Sequence, residues 1–380
     1  MKADILLKGG VVVDPASFIN ERKNIAIKDG NIIETHAGMQ AERVIDANGY
    51  YIFPGLIDFH AHVYSPGAEF SVRADPSFMP QGVTTVVDAG SAGAVNYDNF
   101  LKTSVAFSQT RIYGLLNVSP LGMLTLRWHE EVNPKYYDAE LIKTVCEQHK
   151  GQIVGLKCRQ SKDVVAEFGM EPLKTAINIA EKVGLPVVVH VTDPPVAMDE
   201  LAEMLRPGDV LCHCYNGTGN TILANDGKVL PGVKQAQSRG VILDAANGKF
   251  HFSFKVARQA LAEGILPDII SSDLTVMTLY MDYVFGLPYV MSKYLSLGMD
   301  ISDIVQRCTV APAKWLGISE DLGTLANGAK ADIAIFKLVE RSTPFLDTFG
   351  EVFVGDKLLV PQMTMMNGKI VYRNMEFATS

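Results

Sequence analysis

Two histidines separated by one residue, His60 and His62, end an apolar run that begins at Tyr51. In a β-strand, side chains two residues apart point to the same face, so these two imidazoles would face one point. Paired imidazoles on one strand are typical of a metal site. The alternative is a strand end with two polar residues on its wetter face. Further potential ligands at the ends of later apolar segments favour the metal site.

Four more polar residues stand in the last positions of apolar segments, and these are Lys157, His190, His213 and Asp273. Histidines with an aspartate suit a borderline divalent ion, with zinc as the best candidate. A protonated lysine would repel a metal, but a buried lysine is readily neutralised. The neutral amine can then add carbon dioxide and form a carbamate that bridges two ions. The alternative is a lysine paired with Asp273 that has no metal role.

The elements that must position these residues alternate short apolar strands with helical stretches, from residue 54 to residue 322. Eight strands with helices between them, in about 270 residues, predict an α/β fold of the (β/α)8 TIM-barrel type. A doubly wound open sheet is disfavoured, because no GxGxxG follows the first strand and because strand ends converge only in a barrel. The strand candidates are GLIDFHAH, VTTVVDAG, RIYGLLNV, IVGLKC, PVVVHV, DVLCHC, GVILDAA and DIISSD.

The two ends of the chain have a different pattern. Residues 1–53 and 323–380 contain β-branched strands separated by Asp-Gly, Asn-Gly and similar turn dipeptides. Neither segment is long enough to close a sandwich alone. We therefore predict that they pair into one small β-sandwich domain beside a TIM-barrel domain of residues 54–322.

Composition limits the classes of partner. The formal net charge is −8 and no basic face is visible, which argues against nucleic acid and favours a small-molecule substrate. No apolar stretch approaches the ~20 residues of a membrane span, and the first residues resemble a strand rather than a signal peptide. Five cysteines, an odd and sparse number, indicate free thiols and a cytoplasmic location. A homo-oligomer is left open.

The run Pro54–His62, followed in order by Lys157, His190, His213 and Asp273, resembles the amidohydrolase superfamily. The late segments 323–336 and 366–372 also resemble the return of that superfamily into its β-sandwich. With a lysine on the fourth strand, the chain resembles the binuclear branch of this superfamily. That branch contains dihydroorotases, hydantoinases and dihydroorotase-like deacetylases.

The resemblance implies two zinc ions per chain, bridged by N6-carboxylysine at Lys157. His60, His62 and Asp273 would hold the more buried ion, and His190 and His213 the more exposed one. Two ions would lower the pKa of a bridging water enough to supply hydroxide near neutral pH. Asp273 would act as the general base.

Residues that contact the substrate are harder to predict. Arg159 has the parity to face the barrel mouth and could grip a carboxylate, or it could pair with a loop acid. Asn216 could bind an amide or carboxylate, or it could be a turn residue before Gly217. Two histidines on loops, His129 and His251, are further candidates for the pocket wall. Dihydroorotases usually carry an arginine two residues after the histidine pair, where this chain has Tyr64.

Three activities and one inactive state compete. The leading hypothesis is hydrolysis of an acyl ester or amide of a small hydroxy or amino acid, as in a deacetylase. The alternatives are ring opening of a cyclic amide, deamination of a nucleobase such as adenine, and a non-catalytic relative. Alternation along DVLCHC predicts that Cys212 and Cys214 face away from His213, as structural residues against the outer helices.

Overall fold

The protein contains two β-sheets that share no strand, as described by a computed structural model for residues 2–377. Residue 1 and residues 378–380, the ends of the predicted terminal domain, lie outside the described residues. The strands are β1 (Ala3–Asp14), β2 (Ile19–Lys28), β3 (Asn31–Ile33), β4 (Ala41–Asp46), β5 (Tyr51–Pro54), β6 (Leu56–Ala61), β7 (Val83–Asp88), β8 (Arg111–Asn117), β9 (Ile153–Arg159), β10 (Val187–His190), β11 (Val210–Cys212), β12 (Ile242–Asp244), β13 (Ile333–Leu346), β14 (Val352–Met366) and β15 (Lys369–Arg373).

Helices follow most strands of the central segment. They are α1 (Ala74–Phe78), α2 (Tyr97–Thr103), α3 (Ala139–Gln148), α4 (Lys162–Val165), α5 (Glu171–Val183), α6 (Met198–Met204), α7 (Pro231–Ser238), α8 (Phe254–Ala262), α9 (Leu287–Ser296), α10 (Ile301–Cys308) and α11 (Val310–Leu316). Within residues 2–377, none of the helices has the length and apolar character needed to cross a membrane.

The central sheet has seven parallel strands, β6 to β12, each paired with its neighbour in sequence. Segment 269–274 joins both edges of this sheet, since Ile269 bridges to Asp244 on β12 and Leu274 bridges to Ala61 on β6. This segment occupies the place of the predicted eighth strand but is irregular. The N–H of Ile270 donates to a helix carbonyl instead of a strand, and the backbone turns left-handed at Asp273, with φ of 54°.

The helices that cover the sheet begin and end where local chemistry dictates. Helix α5 starts with a proline at its second residue and ends at Gly184, whose left-handed conformation is accessible without steric cost. Its buried residues recur every three or four positions, which produces one apolar face against the sheet. The central strands are buried along nearly their whole length, as expected for parallel strands covered on both faces.

The second sheet is built from both ends of the chain, with the strand order β15-β14-β13-β5-β1-β2-β3 and with β4 paired to β1. The two ends meet in the antiparallel pairing of β5 with β13, and Asn31 on β3 also bridges to Lys330. Side chains from both ends, among them Val12, Ile27, Ile333 and Met363, form one buried cluster. The predicted pairing of the ends is therefore present, and the bounds of the two domains stay a prediction.

The hairpin of β13 and β14 reaches from the terminal sheet to the central one. Its turn, residues 347–351, is called the hairpin tip below. The N–H of Thr348 in the tip donates to the carbonyl of Phe252, in the loop between β12 and α8. At the base of the tip, the buried ammonium of Lys293 on α9 donates to the carbonyls of Leu346, at 2.9 Å, and Tyr283.

The burial of Lys293 predicts that the stability of the protein depends on pH. Burial lowers its pKa to about 7, although the charge of Asp347 acts in the opposite direction. An unfolded lysine titrates near ~10.4, so between ~7 and ~10.4 the unfolded state binds the extra proton and stability rises with pH. We expect the free energy of unfolding of the wild type, relative to Lys293→Met, to increase by about 1 kcal/mol per pH unit in this window.

Urea unfolding curves of the two proteins at several pH values measure this difference. A difference that stays flat with pH would contradict the prediction. It would show that the two carbonyl acceptors and the aromatic rings around Lys293 keep the ammonium charged.

Candidate active site

The six residues predicted as metal ligands meet at one end of the central sheet. His60 lies in β6 and His62 follows it; Lys157 is in β9 and His190 ends β10. His213 follows β11, and Asp273 lies in the segment that joins β12 to β6. All six are buried, and Asp273, the most accessible, is 9% exposed. The carboxyl ends of parallel strands meet at one face, which brings these distant positions together.

One group of donors contains His60, His62 and Asp273, whose ligand atoms lie within 4.8 Å of one another. The Oδ1 atom of Asp273 is 3.8 Å from Nε2 of His60 and 3.5 Å from Nε2 of His62. The Nζ atom of Lys157 is 3.3 Å from the same nitrogen of His60. Within residues 2–377, Lys157 has no carboxylate within 4.0 Å, so the alternative of an ion pair with Asp273 is not found.

A second group contains His190, His213 and His251. The Nδ1 atom of His190 is 2.8 Å from Nε2 of His213, and the donor atoms of all three lie within 4.8 Å of one another. The two groups are adjacent, because the ring centroids of His60 and His213 are 5.2 Å apart. His251, which the sequence offered only as a candidate for the wall, therefore lies among the metal donors.

Backbone strain coincides with two of these residues. His213 and Asp273 have φ of 61° and 54°, in the left-handed region that side chains other than glycine rarely adopt. Each is held by hydrogen bonds, since Nδ1 of His213 is 2.8 Å from the carbonyl of Ala246 and the N–H of Asp273 donates to the carbonyl of His60. The left-handed turn aims both side chains into the site.

The turn at His213 also corrects one expectation. Strand alternation predicted that Cys212 and Cys214 both face away from the site, but β11 ends at Cys212 and alternation does not continue through His213. The thiol of Cys212 lies within 4.8 Å of donor atoms of His60 and Asp244. Burial raises the pKa of this thiol well above its usual range, so it stays protonated and is a poor ligand.

Burial also determines the protonation of the histidines. It lowers the pKa of His60, His190 and His213 well below the usual value, and it lowers the pKa of His251 to about 4. The rings are therefore neutral near pH ~7, which is the form that donates a lone pair to a metal ion.

Two carboxylates orient the histidines of the first group, and the sequence analysis missed both. The Oδ2 atom of Asp244 is 3.1 Å from Nδ1 of His60. Ser91 lies 2.8 Å from Nδ1 of His62 and donates its own proton to Asp88. These contacts direct both Nε2 atoms into the site. The signal was present, because Asp88 and Asp244 end the apolar segments VTTVVDAG and GVILDAA.

A cavity of about 450 Å³ opens above the donors. Its wall contains His62, His190, His251 and Asp273, together with apolar and polar residues: Phe70, Met123, Leu126, Arg159, Ser161, Asp163, Thr192, Thr218, Lys249, Phe250, Thr275, Met277, Thr278 and Thr348. A larger cavity of about 620 Å³ lies beside the β13–β14 hairpin and contains none of the histidines. The smaller cavity is therefore the candidate active site.

Arg159 lies in this wall and pairs with a buried acid. One of its terminal nitrogens is 2.7 Å from Oε2 of Glu130, and the other carboxylate oxygen of Glu130 accepts from the amide of Asn117. The Nε atom of Arg159 is buried and has no hydrogen-bond partner among the described residues. The pairing with a loop acid is therefore present, and the contact with a substrate carboxylate stays a prediction.

Two other candidates, Asn216 and His129, are not in the wall. Asn216 is fully buried, and its amide donates to the carbonyls of Val191 and His213 while accepting from Thr218. These bonds favour the turn role over substrate contact. The side chain of His129 is 67% exposed and lies 3.9 Å from Glu131. Tyr64, which stands where dihydroorotases usually carry an arginine, donates its hydroxyl to Asn99.

Residues 51–371 match the Amidohydrolase family. A deacetylase of Agrobacterium fabrum is 33% identical over 347 residues, which cover 90% of this chain and 85% of that protein. Among solved structures, an adenine deaminase superposes with a TM-score of 0.89 and 31% identity, covering 98% of this chain and all of that one. A dihydroorotase superposes with a TM-score of 0.87 and 32% identity, covering 96% of this chain and 98% of that one.

The site and these similarities define a hydrolytic enzyme that acts on carbon–nitrogen bonds. The chain belongs to the amidohydrolase family.

Asp244 should control metal affinity through His60. Asp244→Asn keeps the size of the side chain but replaces the carboxyl group that fixes the imidazole with an amide, so we expect metal affinity to fall ~10- to 100-fold. Competition with a chelator measures this value. Ser271→Ala is the matched control, because Ser271 donates to the other oxygen of Asp244 and does not touch His60. Equal affinities in Asp244→Asn and the wild type would contradict the prediction.

Proposed function

We propose that this protein is a zinc-dependent amidohydrolase that removes an acyl group, as ester or amide, from a small hydroxy or amino acid. The observation that carries the proposal is the pair of adjacent donor groups around Lys157 at the base of a cavity that also contains Arg159. The similarity to a deacetylase supports the choice of acyl hydrolysis. We further propose that the closed central sheet is a (β/α)8 barrel and carries the whole site.

The donor chemistry fits two divalent ions. His60, His62 and Asp273 would hold the inner ion, and His190 and His213 the outer ion. Lys157, as N6-carboxylysine, would bridge them. The surroundings of Lys157 support this role, because a side chain at Gly90 would overlap its Cβ and Cγ atoms. Neutral imidazoles and a lysine without a carboxylate partner are what such a site needs.

When bound, the ions polarise the substrate carbonyl and make water more acidic. The remaining steps belong to the chain itself. Asp273 lies at the edge of the cavity with its carboxylate near His62, and it takes the proton of the attacking water. The same carboxyl then donates that proton to the leaving oxygen or nitrogen. Its position between the donor groups and the cavity allows both transfers without a separate acid.

Substrate recognition depends on charge at the cavity wall. The wall contains two cations, Arg159 and Lys249, and two acids, Asp163 and Asp273, so a substrate carboxylate would have a cationic partner there. Glu130 binds one terminal nitrogen of the Arg159 guanidinium, and the same side chain lines the cavity, where it would contact a substrate carboxylate. Such a contact would place the acyl group toward the donors.

Ring opening of a cyclic amide is the second candidate, supported by the similarity to a dihydroorotase structure. Against dihydroorotate itself, Tyr64 replaces the arginine expected from the resemblance and lies outside the cavity wall. Deamination of adenine is the third candidate, and a cavity that presents Arg159 and Lys249 favours an acid over a neutral base. We expect a small-molecule substrate and no nucleic-acid partner, and a homo-oligomer stays a prediction.

Lys157 tests the metal centre. Protein purified without chelator should contain between one and two zinc equivalents, as measured by elemental analysis. Lys157→Ala should lose most of the activity and part of the metal, because the bridge is gone. Small carboxylic acids added to this variant should restore some activity by replacing the carbamate. Full activity and unchanged metal in Lys157→Ala would show that the lysine has only a structural role.

Arg159 tests the substrate class. Arg159→Met keeps the bulk and removes the charge, so kcat/KM should fall ~10- to 10³-fold for substrates with a free carboxylate. Arg159→Lys keeps the charge but loses the planar guanidinium, so its kcat/KM for these substrates should fall less. The panel should contain N-acetyl amino acids, acetylated hydroxy acids, dihydroorotate, hydantoins and adenine, with neutral esters as controls. Equal losses on charged and neutral substrates would contradict a carboxylate contact.

A further inference from the structure

The proposed donor set leaves the partly buried imidazole of His251 without a role. We propose that His251 is a third histidine ligand of the outer metal position, and that the hairpin tip from the terminal sheet holds it there. The inference rests on the proposed function, since it concerns the same site. It adds a ligand from a loop after β12 and a positioning segment from outside the barrel.

The orientation of the His251 ring supports ligation. Its Nδ1 atom is 2.9 Å from the hydroxyl of Thr192, so its Nε2 atom is the one left to face the site. That nitrogen is 3.9 Å from Oδ2 of Asp273. The ring centroid is 4.0 Å from that of His213 and 4.9 Å from that of His190. Three imidazoles with donor atoms within 4.8 Å of one another can share one ion.

The loop that carries His251 packs tightly against the site. Gly248 has φ of 53°, and a side chain there would overlap both the Asp273 carboxylate and the His251 ring. The backbone at this point can approach the site only because glycine has no Cβ. The loop is therefore shaped to bring the imidazole close to the donors.

The hairpin tip fixes this loop on both sides of His251. The hydroxyl of Thr348 accepts from the N–H of Phe252 at 3.3 Å and donates to the carbonyl of Lys249 at 3.0 Å. The N–H of Thr348 donates to the carbonyl of Phe252 at 3.1 Å. The carboxylate of Asp347 accepts from the N–H of Phe254, also at 3.1 Å. Thr348 is thus a positioning residue, which acts on the metal site through His251.

The first experiment compares zinc binding to the metal-free wild type and His251→Asn, with a chelator as competitor. Asparagine keeps a polar atom near Thr192 and removes Nε2. We expect two equivalents in the wild type. In the variant, the affinity for the second equivalent should fall at least ~10-fold, with the first little changed. Cobalt(II) absorption spectra of both proteins give a second readout, in which the outer ion should change its ligand field.

Thr348 variants provide a test that leaves every proposed donor in place. Thr348→Val removes the hydroxyl but keeps the shape of the side chain, and it should weaken the binding of the second zinc equivalent. Thr348→Ser keeps the hydroxyl, so the binding of the second equivalent should be restored. The first equivalent should be unchanged in both. An effect of Thr348→Val on both equivalents alike, or no rescue by serine, would overturn the positioning role.

The outcomes separate this inference from the proposed function. Two equally tight equivalents in the wild type and in His251→Asn would overturn the ligand assignment alone. If turnover fell in that case, His251 would be assigned to substrate contact instead. A wild type that binds no zinc would overturn the proposed function and the inference together.

Discussion

Removing polar groups from water at the strand ends is the constraint on which the rest of the site depends. An unpartnered polar group in this position costs several kcal/mol, roughly 2–7, so each donor needs a second contact that points its free atom toward the site. His60 has Asp244, His62 has Ser91, and His213 has the carbonyl of Ala246. The positions of the free nitrogens follow from these contacts. The candidate metal centre is therefore specified as much by the partners behind the rings as by the rings themselves.

The same constraint explains why two sheets contribute to one cavity. The central sheet supplies rigid strand ends, whereas the loop after β12 has no regular structure of its own and would leave polar backbone groups unpaired. The hairpin tip satisfies these groups through Thr348 and Asp347. A terminal sheet that had only to bury its own apolar cluster would not need so long a hairpin. Its reach to the cavity makes sense as support for the loop.

Much of this arrangement could be predicted from local patterns. Period-two alternation places His60 beside His62, and the position of Lys157 and His190 at the ends of apolar runs predicts convergence in a barrel. Alternation fails where the backbone leaves the strand, as the error on Cys212 shows. His251 could not be placed from its neighbours, because its position depends on contacts with residues nearly a hundred positions later. The (β/α)8 pattern predicts the positions of the strand ends, because each strand–helix unit repeats them. Contacts made by loops follow no repeat and cannot be predicted in this way.

The hairpin also sets an order of events during synthesis. The proposed donors, including His251 and Asp273, all leave the ribosome before Thr348 does, and at ~5–20 residues per second the delay is several seconds. During that interval the strands of the central sheet can pair while the loop after β12 is still unsupported. The outer face of the nascent site would then be open to divalent ions and carbon dioxide, which the proposed metal centre and carbamate require. Closure by the hairpin tip afterwards would trap what has been bound.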